Sequence, residues 1–204
     1  MAQKQDTNKF NFTREMLPLE RAVPRVLAEY QKKARNTFQR IPYPTRNDEA
    51  WRRTSLQPLL MGDLLLPNGK TPDITKDEIS ARYLDPLTNQ HKGGQAILGP
   101  KNVFVDIAPN LAKKGVIFTD LNAAAEKHPI LLEKVLGKIV SPEDGKFAAL
   151  TGAFAKNGIF VYIPAGVQVD QTLHSLLWAA GEGLAHFSHL LIYLEKGASL
   201  TYIH

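Results

Sequence analysis

The 204-residue chain contains no cysteine. Disulfides, thiolate nucleophiles and thiolate-bound metals are therefore excluded within it, and the absence agrees with a reducing, cytoplasmic setting. There is no run of about 18 consecutive apolar residues, the length a membrane-crossing helix requires. The N-terminus, Met1-Ala2-Gln3-Lys4-Gln5-Asp6, has no apolar core behind its charges, so it does not read as a signal peptide. A Gly-x-x-x-x-Gly-Lys-Ser/Thr loop is missing, which leaves ATP to a partner. Gly181-Glu182-Gly183 lacks the third glycine and the following helix of a dinucleotide site. The composition, 44% hydrophobic and 22% charged, is that of an ordinary soluble globular protein. The expectation is a soluble, cytoplasmic protein of one or two domains, without a membrane span.

What is present begins with an uneven charge. Residues 1–53 carry 12 Lys/Arg against 6 Asp/Glu, whereas residues 54–204 carry 13 against 14. A basic arm of this kind can meet nucleic acid or an acidic partner. However, Glu20, Arg21, Arg25, Glu29, Lys32 and Lys33 interleave the two signs at helical spacing, as on the wet face of a helix, and that reading is preferred.

Apolar positions Val23, Val26, Leu27, Tyr30, Ala34 and Phe38 predict an amphipathic helix from about Leu19 to Phe38, stopped by Ile41-Pro42-Tyr43-Pro44. Thr75-x-x-Glu78 predicts a capping box and a short helix over about 76–84. Residues 86–101, with Gly93-Gly94 and Gly99-Pro100, read as a flexible connection. Strands are predicted at Val103–Ile107 and Gly115–Thr119. Helices are predicted over 121–127 behind Asp120, from Pro129 to Gly137, and over Phe147–Phe154. From Gly158 onward the period becomes two.

Within that last stretch Tyr162-Ile163-Pro164-Ala165-Gly166-Val167-Gln168-Val169 is echoed by Tyr193-Leu194-Glu195-Lys196-Gly197-Ala198-Ser199-Leu200, 31 positions on. Short strands broken by a glycine turn at that period describe coils of a β-solenoid, each burying its apolar face on the next. The chain stops while still alternating, at His204, and is expected to be the front part of something longer.

Three segments carry a family resemblance. Pro44-Thr45-Arg46-Asn47-Asp48-Glu49-Ala50-Trp51-Arg52-Arg53-Thr54-Ser55-Leu56 is one, and the Gly115–Gly137 run with His128-Pro129 is another. The third and most specific runs from Asp144-Gly145-Lys146-Phe147-Ala148-Ala149-Leu150 to Gly158-Ile159-Phe160-Val161-Tyr162-Ile163-Pro164-Ala165-Gly166-Val167. Together they resemble the N-terminal part of the SufB/SufD family, scaffold proteins of the Suf iron–sulfur cluster assembly machinery, and the Trp51 segment favours the SufD branch. The resemblance implies an α+β fold. Residues 1–100 would be a mostly helical region, 101–157 a mixed α/β connection, and 158–204 the first coils of a truncated right-handed parallel β-helix. It also implies a SufB-like paralogue and a SufC-like ABC ATPase as partners, with the Fe–S cluster built by the complex and its ligands lying beyond His204. On this reading the chain is not an enzyme and itself binds no cofactor or metal. An uncovered last coil would allow a homo-oligomer through its strand edge.

Weighed for chemistry, the histidines offer little. His186 and His189, three apart in a predicted strand, would point to opposite faces. His174 and His204 are 30 apart and would stack in adjacent coils, as a polar ladder rather than a metal pair. His128 is expected to shape the start of a helix. Asp170 at a strand end, Glu182 between glycines and Glu195 in a turn make no catalytic pair, which disfavours a carbohydrate-active β-helix enzyme. Trp51 is expected to pin its segment to the body, leaving Arg52 and Arg53 wet or locally paired.

Overall fold

The computed structural model describes residues 9–10, 23–57, 64–67, 71, 73–79, 81–84, 92–179 and 182–204. Strand β1 (Lys9–Phe10) precedes helix α1 (Arg25–Arg40), which starts directly after Pro24, where a missing N–H is tolerated. The predicted start at Leu19 lies outside the described residues. Leu27, Gln31, Ala34, Thr37 and Phe38, spaced three and four apart, form the buried face of α1, and Ile41 ends it in extended backbone. A 3-10 turn at Glu49–Trp51 and strand β2 (Leu64–Leu65), paired antiparallel with β1, follow.

The helix expected over 76–84 divides into a 3-10 turn at Lys76–Glu78 and α2 (Ala81–Leu84). The Glu78 carboxylate does accept from the Thr75 N–H at 2.9 Å, as the capping spacing requires. Residues 86–101 are not the flexible connection expected, because β3 (Lys92–Leu98) occupies most of the described part. The two glycines there serve close packing. A Cβ on Gly93 would lie 2.8 Å from the Gln171 carbonyl oxygen, and one on Gly94 would lie 2.8 Å from the Phe118 ring.

β4 (Val103–Ile107), α3 (Pro109–Lys113) and β5 (Ile117–Asp120) come next. Asp120 caps α4 (Leu121–Lys127), its carboxylate accepting from the Ala123 N–H at 2.9 Å. α5 (Pro129–Glu133) is shorter than expected and continues as turns to Gly137, at φ 66°. α6 (Lys146–Ala153) leads into β6 (Asn157–Ile163), β7 (Gln168–Leu177), β8 (Ser188–Leu194) and β9 (Ser199–Ile203).

Among the described residues the architecture is mixed α+β, with two mixed sheets beside the short β1–β2 pair and no closed barrel. One sheet has the order β4-β3-β7-β9 and the other β5-β6-β8. In both, the first pair is antiparallel and the later pairs are parallel. Ala96, Leu98, Ile159, Val161, Ile163, Val169 and Leu173 share the core between the sheets with Leu111, Val116 and Phe118. Phe160, on the other face of β6, packs with Leu27 of α1 and with Leu121, Ala124 and Leu132. Alternation along β6 thus sends successive residues into two different cores, which explains why nearly the whole strand is apolar.

The 31-residue echo is realised as spatial register. Tyr162 lies opposite Tyr193, Ile163 opposite Leu194 and Gln168 opposite Ser199. The turns superpose as well, since the Gly166 N–H donates to the Lys196 carbonyl at 3.0 Å and the Ser199 N–H to the Val167 carbonyl at 3.1 Å.

Candidate functional site: an open strand edge

β8 and β9 are the outer strands of their sheets, and they belong to the same layer, one repeat beyond β6 and β7. Their inward side chains show what is missing there. Ile159, Val161 and Ile163 are each 0% exposed, whereas their registered mates Leu190, Ile192 and Leu194 are 37%, 38% and 38% exposed. Chemistry and pleat position are the same in the two rows. The difference is that β6 has a parallel neighbour on its β8 side, whereas β8 has none beyond it among the described residues. Leu200 and Tyr202 of β9 are likewise only partly buried against the inter-sheet core. An apolar row bordered by unpaired backbone N–H and C=O groups is a surface for strand addition.

Beside β8 this edge opens into a cleft of about 710 Å3. Five consecutive residues, Ser188 to Ile192, line it, which is possible only if the cleft runs along the strand's backbone edge. Ile139 and Val140, 85% and 62% exposed, and Phe147 line its other side. Ile139 and Val140 are the apolar side chains left most exposed there.

The titratable side chains singled out from the sequence do not converge. His186 precedes β8 instead of lying in it, so the expected strand geometry does not apply. Its Nε2 meets the Asn157 amide at 3.1 Å, and burial lowers its pKa. His189 sits on β8 against Tyr30 of α1, ring centroids 5.8 Å apart and nearly perpendicular, and burial pushes its pKa down to about 4. The expected stacking of His174 on His204 is not observed. A bulge between Val169 and Leu173 shifts the register, so that His174 faces Ile203 and His204 Nδ1 contacts the Ser175 hydroxyl at 2.5 Å. His128 precedes α5 and its carbonyl accepts from Leu131 and Leu132. Asp170 is exposed within β7 instead of ending a strand, while Glu182 and Glu195 sit in separate turn regions. Among the described residues no three His, Asp or Glu side chains are grouped to hold a metal, and no helix is long and apolar enough to cross a membrane.

Trp51 stacks on Phe147 of α6, centroids 5.2 Å apart, so it does pin its segment to the body, and Arg52 pairs locally with Glu49 at 3.2 Å. Lys146, unremarked in the sequence, is buried. Its ammonium donates to the Phe38 carbonyl at the end of α1 at 2.5 Å and lies 3.9 Å from the Phe38 ring centroid and 4.5 Å from that of Tyr43. No sequence signal marks such a lysine apart from its place among aromatics brought from elsewhere.

With this geometry in hand, the comparisons with known proteins are specific. Residues 97–174 match the family described as SufBD protein N-terminal region. Over 122 residues, 58% of the chain, it is 34% identical to an iron–sulfur cluster assembly SufBD family protein of Synechocystis sp.. Over 126 residues, 62% of the chain, it is 33% identical to a protein of the same description from Staphylococcus aureus strain MRSA252. Over these stretches the chain is similar to SufBD family proteins. It spans about a quarter of the length of these curated relatives, 25% and 26%.

Proposed function

We propose that this chain is part of a non-enzymatic scaffold subunit for iron–sulfur cluster assembly. On this reading β6 to β9 are the opening coils of a right-handed parallel β-helix, and the subunit works in the cytoplasm with a SufB-like paralogue and a SufC-like ABC ATPase. The cluster is cargo of the complex, and this part holds no cofactor. The observation that carries the reading is the contrast between the buried Ile159, Val161 and Ile163 and the half-exposed Leu190, Ile192 and Leu194 in identical register. A structure built this way contributes shape and strand edges for protein contacts, in keeping with the description of its relatives as iron–sulfur cluster assembly proteins. Dispersed histidines and carboxylates offer no competing reactive centre among the described residues.

Affinity purification of the full-length gene product from its native cells is the test. Stoichiometric recovery of an ABC ATPase and a cysteine-containing paralogue is expected. Recovery as a lone monomer, with neither companion under mild ionic conditions, would overturn the scaffold reading. For residues 1–204 alone, the same edge is expected to pair with a second copy, seen as a concentration-dependent mass in analytical ultracentrifugation.

A further inference from the structure

Tyr30 is the point at which α1 meets three other elements. Its ring lies over Gly137, where a Cβ would approach Cε2 to 2.6 Å, and its hydroxyl lies over Gly152 of α6, where a Cβ would approach to 3.1 Å. Its third neighbour is the His189 ring on β8, edge-on at 5.8 Å. Behind His189 the β6 backbone closes in at Gly158, where a Cβ would fall 2.3 Å from the His189 carbonyl oxygen. The β8 backbone is thus fixed against β6 while the imidazole packs edge-on against Tyr30, and its Nδ1 is buried with no hydrogen-bond partner among the described residues.

Among the described residues nothing around it compensates a charge. From α1 the facing titratable group is the Tyr30 phenol, and β6 offers Asn157, Gly158 and Ile159. α6 offers Phe147, Ala148 and Thr151, and the turn offers Val135, Gly137, Ile139 and Val140. Among the described residues no acidic side chain lines the cleft beside His189. The charged groups on that turn, Lys134 and Lys138, are cations and oppose an imidazolium. The route to solvent is the cleft that His189 itself lines.

We propose that His189 is an acid-sensitive latch. Neutral, it packs under Tyr30 and holds α1 to the three-stranded sheet; protonated, its ring leaves for the cleft and α1 detaches locally while the sheets persist. This inference is independent of the scaffold reading. The sign follows from burial: the closed state excludes the proton that the open state accepts near pH 6.5, and the closed-state value is about 4. Opening of α1 should therefore rise about 30-fold between pH 8 and pH 5.

The experiment is amide hydrogen exchange of the chain across pH 8 to pH 5, corrected for intrinsic rates, with β3 and β7 amides as internal reference. The expected result is selective acceleration in α1 that His189→Phe abolishes. Equal acceleration in α1 and the reference strands, or acceleration that persists in His189→Phe, would overturn the latch. Should His189→Phe fail to fold, the His189 ring resonances of the unaltered chain decide. A titration midpoint well below 6.5 supports the latch, and one at 6.5 refutes it.

Discussion

Replacing Gly158 by alanine adds one methyl group at the tightest approach between stacked strands. The new Cβ would lie 2.3 Å from the His189 carbonyl oxygen, 3.0 Å from its nitrogen and 3.1 Å from its carbonyl carbon. All three are backbone atoms of β8, so no side-chain rotation relieves them. Restoring ordinary contact requires β6 and β8 to part by about 1 Å at the start of their ladder, adding strain of about 1–3 kcal/mol for overpacking. Loss of one or two ladder hydrogen bonds adds about 1 kcal/mol each. The expected total is about 2–5 kcal/mol, a large share of the roughly 5–15 kcal/mol that keeps a domain folded. Gly166→Ala is the control: it has nothing within 4 Å of the added atom, but its φ of 73° costs about 1 kcal/mol. Urea unfolding followed by circular dichroism measures both. A Gly158→Ala loss below about 1 kcal/mol, or equal to that of Gly166→Ala, would refute the close parallel stacking of β6 on β8.

Two further outcomes follow from the same structure. Val161→Thr should cost about 2–3 kcal/mol, because it buries a hydroxyl between the sheets, whereas Ile192→Thr in the registered position should cost about 1 kcal/mol in residues 1–204, since Ile192 remains 38% exposed; equal losses in urea unfolding would mean that the β8 edge is already covered. Hydrogen bonds from the Thr37 hydroxyl and from Arg40 hold the Glu143 carboxyl below its usual range, so its contribution is present above the unfolded value of 4.5 and is lost as pH falls through the lower folded value. Glu143→Gln should flatten that part of the stability profile below pH 4.5 in acid titrations followed by circular dichroism, and an unchanged profile would show that the carboxylate does not tie α1 to the turn at Pro142–Asp144.

How legible all this was in the chain depended on the range of the forces involved. Helix α4 and its cap were fully readable, because an Asp120 side chain bonding Ala123 is a local event three residues long. The stacking of β6 on β8 was readable at a distance because the sequence repeats itself, with Tyr162 and Tyr193 marking the register. β3 was misread as flexible since its glycines answer to Gln171 and Phe118, groups far along the chain that no local pattern reveals. The His174–His204 pairing failed because their spacing of 30 fits neither the 31-residue offset before the bulge nor the 29-residue offset after it, and bulges leave little trace in sequence. For the candidate site, the sequence indicated an uncovered coil. The cleft beside it, the burial of His189 and the Lys146 contacts arise from elements meeting in three dimensions.

The antiparallel strands at one side of each sheet give the stack a direction. β4 beside β3 and β5 beside β6 run against the repeat, so a further coil in the 31-residue register finds no matching ladder on that flank. A parallel layer in that register finds its ladder beyond β8 and β9. The two flanks of the fold are therefore unlike, and a partner recruited by backbone pairing in the repeat's own direction and spacing is matched by the β8 and β9 flank.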